Sequence, residues 1–180
     1  MKISKLDLEP TAIDFLTSQG FEKLYEPQAS SVDAGILDGK SVLVSAPTAS
    51  GKTLIAMLSM LSHLPKNKSK IVYLSPLRAL AAEKFTEFKK LEKINLGRKI
   101  KVAISTGDFD SVEDKLENSD ILVLTNEKMD ALMRFSQSWI SEIGLVIVDE
   151  IHLLGDESRG PTLEMVLTRL KSGILGKIPQ

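Results

Sequence analysis

A three-layer α/β fold with a mostly parallel central sheet and helices on both faces is what this sequence predicts, on three observations. Short apolar runs rich in Val, Ile and Leu recur at residues 41–45, 71–75, 102–106, 121–125 and 145–148, as strands buried on both faces do. Segments with helical apolar spacing separate them, and alternation of strand and helix implies parallel pairing through right-handed crossovers. The length of 180 residues suits one such domain with a sizeable core.

Ahead of the first apolar run, residues 9–19 and 27–37 read as helices, the second opened by Pro27 and stopped by Asp38-Gly39. Residues 53–64 are apolar nearly all round, as in a buried helix. Residues 77–91 carry Leu77, Leu80, Ala81, Phe85, Phe88 and Leu91 on one stripe, and residues 127–135 carry Met129, Leu132 and Met133. After the last run, Pro161 opens a helix with Leu163, Val166, Leu167 and Leu170. Lys177-Ile178-Pro179-Gln180 reads as the lead-in to a further strand, so the chain is expected to be a fragment of a longer one. Phe85, Phe88 and Trp139 are expected to pack in the core or at a hinge, and the Lys pair 89–90 and the Lys-rich run 66–70 to be solvated surface.

Hydrophobic residues make up 43% and charged residues 26%, which excludes disorder and fibrous repeats. The 23 basic and 24 acidic residues give a net charge of -1, so the chain does not hold nucleic acid through bulk positive charge, and any such contact must be local. No cysteine is present, which excludes disulfides, thiolate zinc sites and thiol nucleophiles; His63 and His152 alone cannot build a histidine-rich metal site. No apolar run reaches membrane-spanning length and the first ten residues do not resemble a signal peptide, so the expected compartment is the cytoplasm. The absence of Cys, with plentiful Lys and Glu, leans toward a heat-adapted source.

The run at 41–45 leads into Ala46-Pro47-Thr48-Ala49-Ser50-Gly51-Lys52-Thr53 and then a helix, the context a phosphate-binding loop needs. Amides of a tight loop and of a helix N-terminus converge on a polyphosphate, the Lys52 ammonium neutralises it, and the Thr53 hydroxyl is offered to Mg2+. Ala46 stands where the general pattern has Gly, whereas Gly51-Lys52-Thr53 is intact. The run at 145–148 ends in Asp149-Glu150, two carboxylates at the carboxyl end of a parallel strand, where α/β sheets bind ligands. If that strand neighbours the loop-bearing one, Asp149 holds the metal and Glu150 orients and deprotonates the water that attacks the γ-phosphorus. His152, taken alone, reads as packed or solvent-facing, and His63 as structural.

Asn126-Glu127-Lys128-Met129-Asp130 has one residue too many for the base-reading element of a GTPase. The five arginines, Arg78, Arg98, Arg134, Arg159 and Arg169, are spread singly, unlike the lid of a small-molecule kinase, which remains the second enzymatic reading. A non-catalytic docking module would show erosion of Lys52, Thr53, Asp149 or Glu150, and none is eroded.

These motifs, in this order, resemble the first RecA-like motor domain of the superfamily-two helicases with a DExH box, here Asp149-Glu150-Ile151-His152. Pro76-Leu77-Arg78-Ala79-Leu80-Ala81 resembles the family's motif Ia, Thr106-Gly107-Asp108-Phe109-Asp110 its motif Ib, and Thr125-Asn126-Glu127-Lys128 its motif Ic. The stretches from Lys128 to Arg134 and from Gly155 to Glu164 resemble the Ski-type group, above all its archaeal Hjm-type DNA helicases, though RNA-acting members share much of the second stretch.

The resemblance implies that residues 1–180 form an ATP- and Mg2+-binding domain, with Gln28 reading adenine and residues 46–53 cradling phosphates. It further implies Lys52 and Glu150 as catalytic residues, Thr53 and Asp149 on the metal, and His152 coupling nucleotide to track. Single-stranded nucleic acid, DNA ahead of RNA, would lie along Pro76, Leu77, Arg78, Thr106, Gly107, Thr125, Asn126, Glu127 and Lys128. These residues sit just past strand ends, where hydroxyls, amides and Arg78 can read phosphates without reading bases; Ser75-Pro76 and Thr125-Asn126 also suit ordinary helix caps. The Ser-Ala-Thr motif and the second RecA-like domain lie outside the sequence. Its arginine fingers are worth about 10³ to 10⁵ in rate, so this chain alone is expected to hydrolyse ATP poorly.

Overall fold

Proline and glycine punctuate the first third of the chain. The structure, a computed structural model, describes residues 1–47, 50–66, 68–107, 113–135 and 137–172. Thr48 and Ala49 of the expected phosphate loop, Asp108-Phe109-Asp110 and residues 177–180 lie outside the described residues. The described residues divide into two compact units, one built on Met1–Lys68 with Lys93–Lys99, the other on Ser69–Glu92 with residues 100–172.

In the first unit, helix α1 (Pro10–Ser18) begins on a proline, whose missing N–H costs nothing in a first turn, and buries Ala12 and Leu16. Helix α2 (Glu26–Asp33) also has its proline in the first turn. Gly35 and Gly39, at φ of +97° and +79°, bracket a single 3-10 turn at Ile36–Asp38 that ends this helical stretch. Helix α3 (Lys52–Lys66) buries nearly every residue from Leu54 to Leu64, as its unbroken apolar surface requires. The Ser62 hydroxyl (2.6 Å) and the Lys66 ammonium (3.3 Å) both donate to the Leu37 carbonyl, tying α3 to the turn. Burial lowers the pKa of His63 on α3, which keeps its imidazole neutral.

The strand expected at 41–45 is not formed: the backbone there is irregular, and Leu43 is 79% exposed. Only Val42, Leu43 and Val44 are apolar in that run. A strand persists only when its N–H and C=O groups find a ladder partner, and three apolar side chains do not supply one.

The second unit holds β1 (Lys70–Ser75), α4 (Arg78–Phe88), β2 (Val102–Ser105), α5 (Glu113–Glu117), β3 (Ile121–Thr125), α6 (Asn126–Arg134), β4 (Ile143–Val148) and α7 (Gly160–Ser172). Its four strands pair in the order β2-β3-β1-β4, every pairing parallel. Every residue of β1 and β3 is buried, which is why both read as unbroken apolar runs. Alternate side chains face opposite ways. Val72, Leu74, Leu122 and Leu124 pack with Met129, Leu132 and Met133 of α6 and Val166 and Leu170 of α7, and Trp139 joins this core. On the opposite face Tyr73 meets Phe88 of α4 edge-on, ring centroids 5.0 Å apart. Helices therefore cover both faces, as predicted.

Lys70, buried at the start of β1, donates to the Ser119 carbonyl (2.9 Å) and to that of Glu117, and lies 3.7 Å from the Glu142 carboxylate. Helices α6 and α7 are joined at Asp130, whose carboxylate accepts from Arg134 (2.6 Å) and Arg169 (3.2 Å).

Two truncations test this account. Leu124→Ala, at a fully buried position, is expected to cost about 2 to 5 kcal/mol, whereas Leu43→Ala should change stability by no more than about 0.5 kcal/mol. Urea unfolding of both variants measures the difference; a large loss at Leu43 would restore the buried strand.

Candidate functional site

In the first unit the expected phosphate loop runs into α3 through Gly51, whose φ is +82°. Glycine is required there twice over, because its backbone is left-handed and a Cβ would run into the Gln28 amide. Gln28 is 2% exposed. Its Oε1 accepts from the Tyr25 N–H (2.8 Å), and its Nε2 donates to the carbonyls of Ser50 (3.4 Å) and Gly51 (3.3 Å). The residue expected to read adenine is thus held against the loop, with both amide hydrogens engaged by it.

The Lys52 ammonium donates to the carbonyls of Ala46 (2.8 Å) and Pro47 (3.2 Å), which fixes the charge over the loop's own backbone. Ser50 Oγ is buried without a hydrogen-bond partner among the described residues. A buried hydroxyl left unpaired is unfavourable unless something else accepts from it, and a phosphate oxygen is such an acceptor. Thr53 begins the first turn of α3 beside Lys52.

In the second unit, parallel pairing sends every strand's carboxyl end to one edge. Ser75 pairs with Thr125, Ser105 with Leu124, and Leu74 with Val148. The Asp149 N–H donates to the Leu74 carbonyl (2.9 Å), extending the ladder by one bond. Its carboxylate accepts from the Tyr73 hydroxyl (2.7 Å) and the Glu150 N–H (3.0 Å), which orients both oxygens. Burial first, and then the nearby Asp149 charge and its hydrogen bond, push the Tyr73 pKa far above the usual phenol value, so the hydroxyl keeps its proton and donates.

Glu150 has a left-handed backbone, φ 53° and ψ 44°, the only positive φ outside glycine among the described residues. Its Oε2 lies 3.2 Å from Nδ1 of His152, which is 73% exposed. His152 thus faces solvent beside the carboxylate, and nothing around it fixes a coupling role.

A cavity of about 260 Å³ opens at the same edge, beyond the ends of β1, β2 and β3. Pro76, Leu77, Arg78, Thr106, Gly107, Thr125, Glu127 and Lys128 line it, together with Arg159. All nucleic-acid candidates but Asn126 are therefore brought together. Asn126 is 2% exposed, and its Oδ1 is buried without a partner. The Thr125 hydroxyl accepts from the Lys128 N–H (3.2 Å) and so caps α6, the ordinary role for Thr at that place. Arg159 and Tyr73 were not among the candidates: Arg159 is far in sequence from its neighbours, and Tyr73 looks like one more apolar residue of a buried strand.

A P-loop sequence in the first unit and, in the second, an acidic pair after β4 and a polar cavity beyond β1, β2 and β3 are features of the nucleotide-binding class of α/β proteins. The chain matches the DEAD/DEAH box helicase family over residues 25–179 and belongs to it. Among curated relatives, the proteins named ATP-dependent DNA helicase Hel308 from Pyrococcus abyssi (44% identical), Pyrococcus horikoshii (45%) and Methanocella arvoryzae (45%) align over 94%, 94% and 95% of this chain. The chain spans 23% of the length of each. Among the described residues no helix is long and apolar enough to cross a membrane.

The Tyr73–Asp149 bond has a pH signature. A group whose folded pKa is raised adds stability below its unfolded value and loses it as pH climbs past that value, about 10 for tyrosine. Melting temperature is therefore expected to fall above pH 10, and Tyr73→Phe should flatten that fall. In a Tyr25→Phe background, tyrosinate absorbance should rise only with unfolding; a rise in the folded protein near pH 10 would contradict the bond.

Proposed function

We propose that residues 1–180 are the first RecA-like motor domain of a longer ATP-dependent helicase that moves on single-stranded nucleic acid, and that its track is DNA. The observation that carries this reading is the cavity at the ends of β1, β2 and β3, which gathers the residues of three separate sequence motifs. The relatives' name, ATP-dependent DNA helicase, supports ATP and DNA as the ligands. A second motor domain in the same polypeptide is the proposed partner for catalysis. The small-molecule kinase reading has no such support.

In this reading Lys52, with the amides of residues 46–53, holds the ATP phosphates, and the unpaired Ser50 hydroxyl gains its acceptor there. Gln28 grips the loop through the Ser50 and Gly51 carbonyls. The Thr53 hydroxyl would hold Mg2+, which supplies charge neutralisation at the phosphates, and the Asp149 carboxylate is a second candidate ligand for a metal. Tyr73 keeps Asp149 in one orientation. Glu150 orients the attacking water and takes its proton, and His152 beside it links that carboxylate to the track. Arg78, Lys128, the Thr106 hydroxyl and the amides opening α4, which has no side-chain cap, bind the phosphodiester backbone and ignore the bases.

ATP hydrolysis by the full-length polypeptide, measured at matched salt without polynucleotide, with single-stranded DNA and with single-stranded RNA, tests the reading. Stimulation by DNA is the expected result, stimulation by RNA alone would change the track, and stimulation by neither would overturn the motor. Lys52→Ala is expected to abolish Mg-ATP binding in equilibrium titration. Glu150→Gln should keep that binding and slow hydrolysis by about 10² to 10⁴; a wild-type rate would remove Glu150 as the base.

A further inference from the structure

The five arginines of the chain divide by what holds them. Arg134 and Arg169 are both bound to Asp130, and Arg98 has its own partner. Arg78 and Arg159 line the strand-end cavity, where neither guanidinium has a hydrogen bond or ion pair among the described residues. The Lys128 ammonium, also on that wall, is likewise unpaired among them. Three cations thus face one cavity in which the sole acid among the described residues is Glu127.

Arg159 is also firmly placed. Asp156 Oδ1 accepts from the Ser158 N–H (3.0 Å), the Ser158 hydroxyl (2.7 Å) and the Arg159 N–H (2.9 Å), and these bonds hold the Asp156 carboxyl below its usual pKa. The Asp156 carbonyl accepts from the Gly160 N–H (2.8 Å), and the Arg159 carbonyl accepts from Leu163 as α7 begins. Gly160 is buried, and a Cβ there would strike the Leu154 carbonyl. The backbone on both sides of Arg159 is therefore fixed, and its half-buried side chain is directed to the cavity.

A guanidinium carries five donors in a planar fork and cannot lose its proton. Held at a polar cavity beside a second guanidinium and an ammonium, it calls for an occupant with paired anionic oxygens. We infer that Arg159 is a phosphate-binding residue of this cavity, its guanidinium engaging the phosphodiester backbone of single-stranded nucleic acid together with Arg78. The inference rests on the nucleic-acid reading above and adds to it a contact from the segment that follows Asp149-Glu150. Asp156 is its positioning residue, acting on the Arg159 backbone and not on the ligand.

Fluorescence anisotropy of labelled single-stranded DNA, over a salt series and with the full-length polypeptide, tests it. Arg159→Ala should weaken binding about tenfold at low salt and lower the slope of log Kd against log salt by about 0.7, the value of one phosphate contact on a single strand. Arg159→Lys should restore the slope, since it keeps the charge, while regaining only part of the affinity. Arg134→Ala, already paired with Asp130 outside the cavity, should bind as wild type. Wild-type affinity and slope for Arg159→Ala would overturn the inference, as would weaker binding with an unchanged slope, which signals a folding role. Failure of the wild-type polypeptide to bind DNA or RNA would instead overturn the nucleic-acid reading itself.

Discussion

Parallel pairing around β1 is the constraint on which the second unit depends. With β3 on one side and β4 on the other, β1 is hydrogen-bonded along both edges and its residues are buried on both faces. No polar chemistry can be placed inside such a strand without an unfavourable desolvation. Chemistry is displaced to the ends, and because every pairing is parallel all the carboxyl ends meet at one edge. Three strand ends contribute the walls of the cavity, and the fourth delivers Asp149 and Glu150. The exception inside the sheet is Tyr73, whose apolar ring packs on Phe88 while its hydroxyl reaches Asp149.

The charge distribution follows a related economy. A chain of net charge -1 has no broad positive field with which to gather a polyanion. It achieves a local one by disposing of other cations elsewhere: Asp130 takes up both Arg134 and Arg169, and Lys70 is enclosed by carbonyls and Glu142. What remains unpaired at the cavity, Arg78, Lys128 and Arg159, then carries the surface potential there. Attraction of that kind is short in range and fades with salt over about 10 Å at 0.1 M, so the loops must meet their ligand at close quarters.

Most of the second unit was legible in the sequence, because a strand buried on both faces and a helix with one apolar stripe leave periodic signatures. The strands at 71–75, 102–106, 121–125 and 145–148 and the helix opened near Pro161 are recovered within a residue or two. The run at 41–45 misled because hydrophobicity reports a tendency to be buried and says nothing of a ladder partner. Motif order located the cavity wall, but Asn126 is buried away from the cavity that Thr125, Glu127 and Lys128 line, a distinction between adjacent residues that order cannot express. Arg159 was passed over because adjacency in sequence was the measure of clustering, whereas the turn ahead of α7 places it on the same cavity as Arg78. Gln28 was singled out as a reader of adenine, whereas its grip on Ser50 and Gly51 had no signal in the sequence, because it depends on how α2 lies beside the loop within the first unit.

The left-handed backbone at Glu150 sets two selections against each other at one position. For a residue with a Cβ that conformation costs about 1 to 2 kcal/mol, a cost that glycine escapes and asparagine largely escapes. A library of this chain sorted only for heat resistance would therefore drift toward glycine or asparagine at position 150 and discard the carboxylate. With Glu150 as the proposed base, thermal robustness and turnover are opposed there by backbone geometry alone, so a stabilised version of this domain has to find its gains elsewhere.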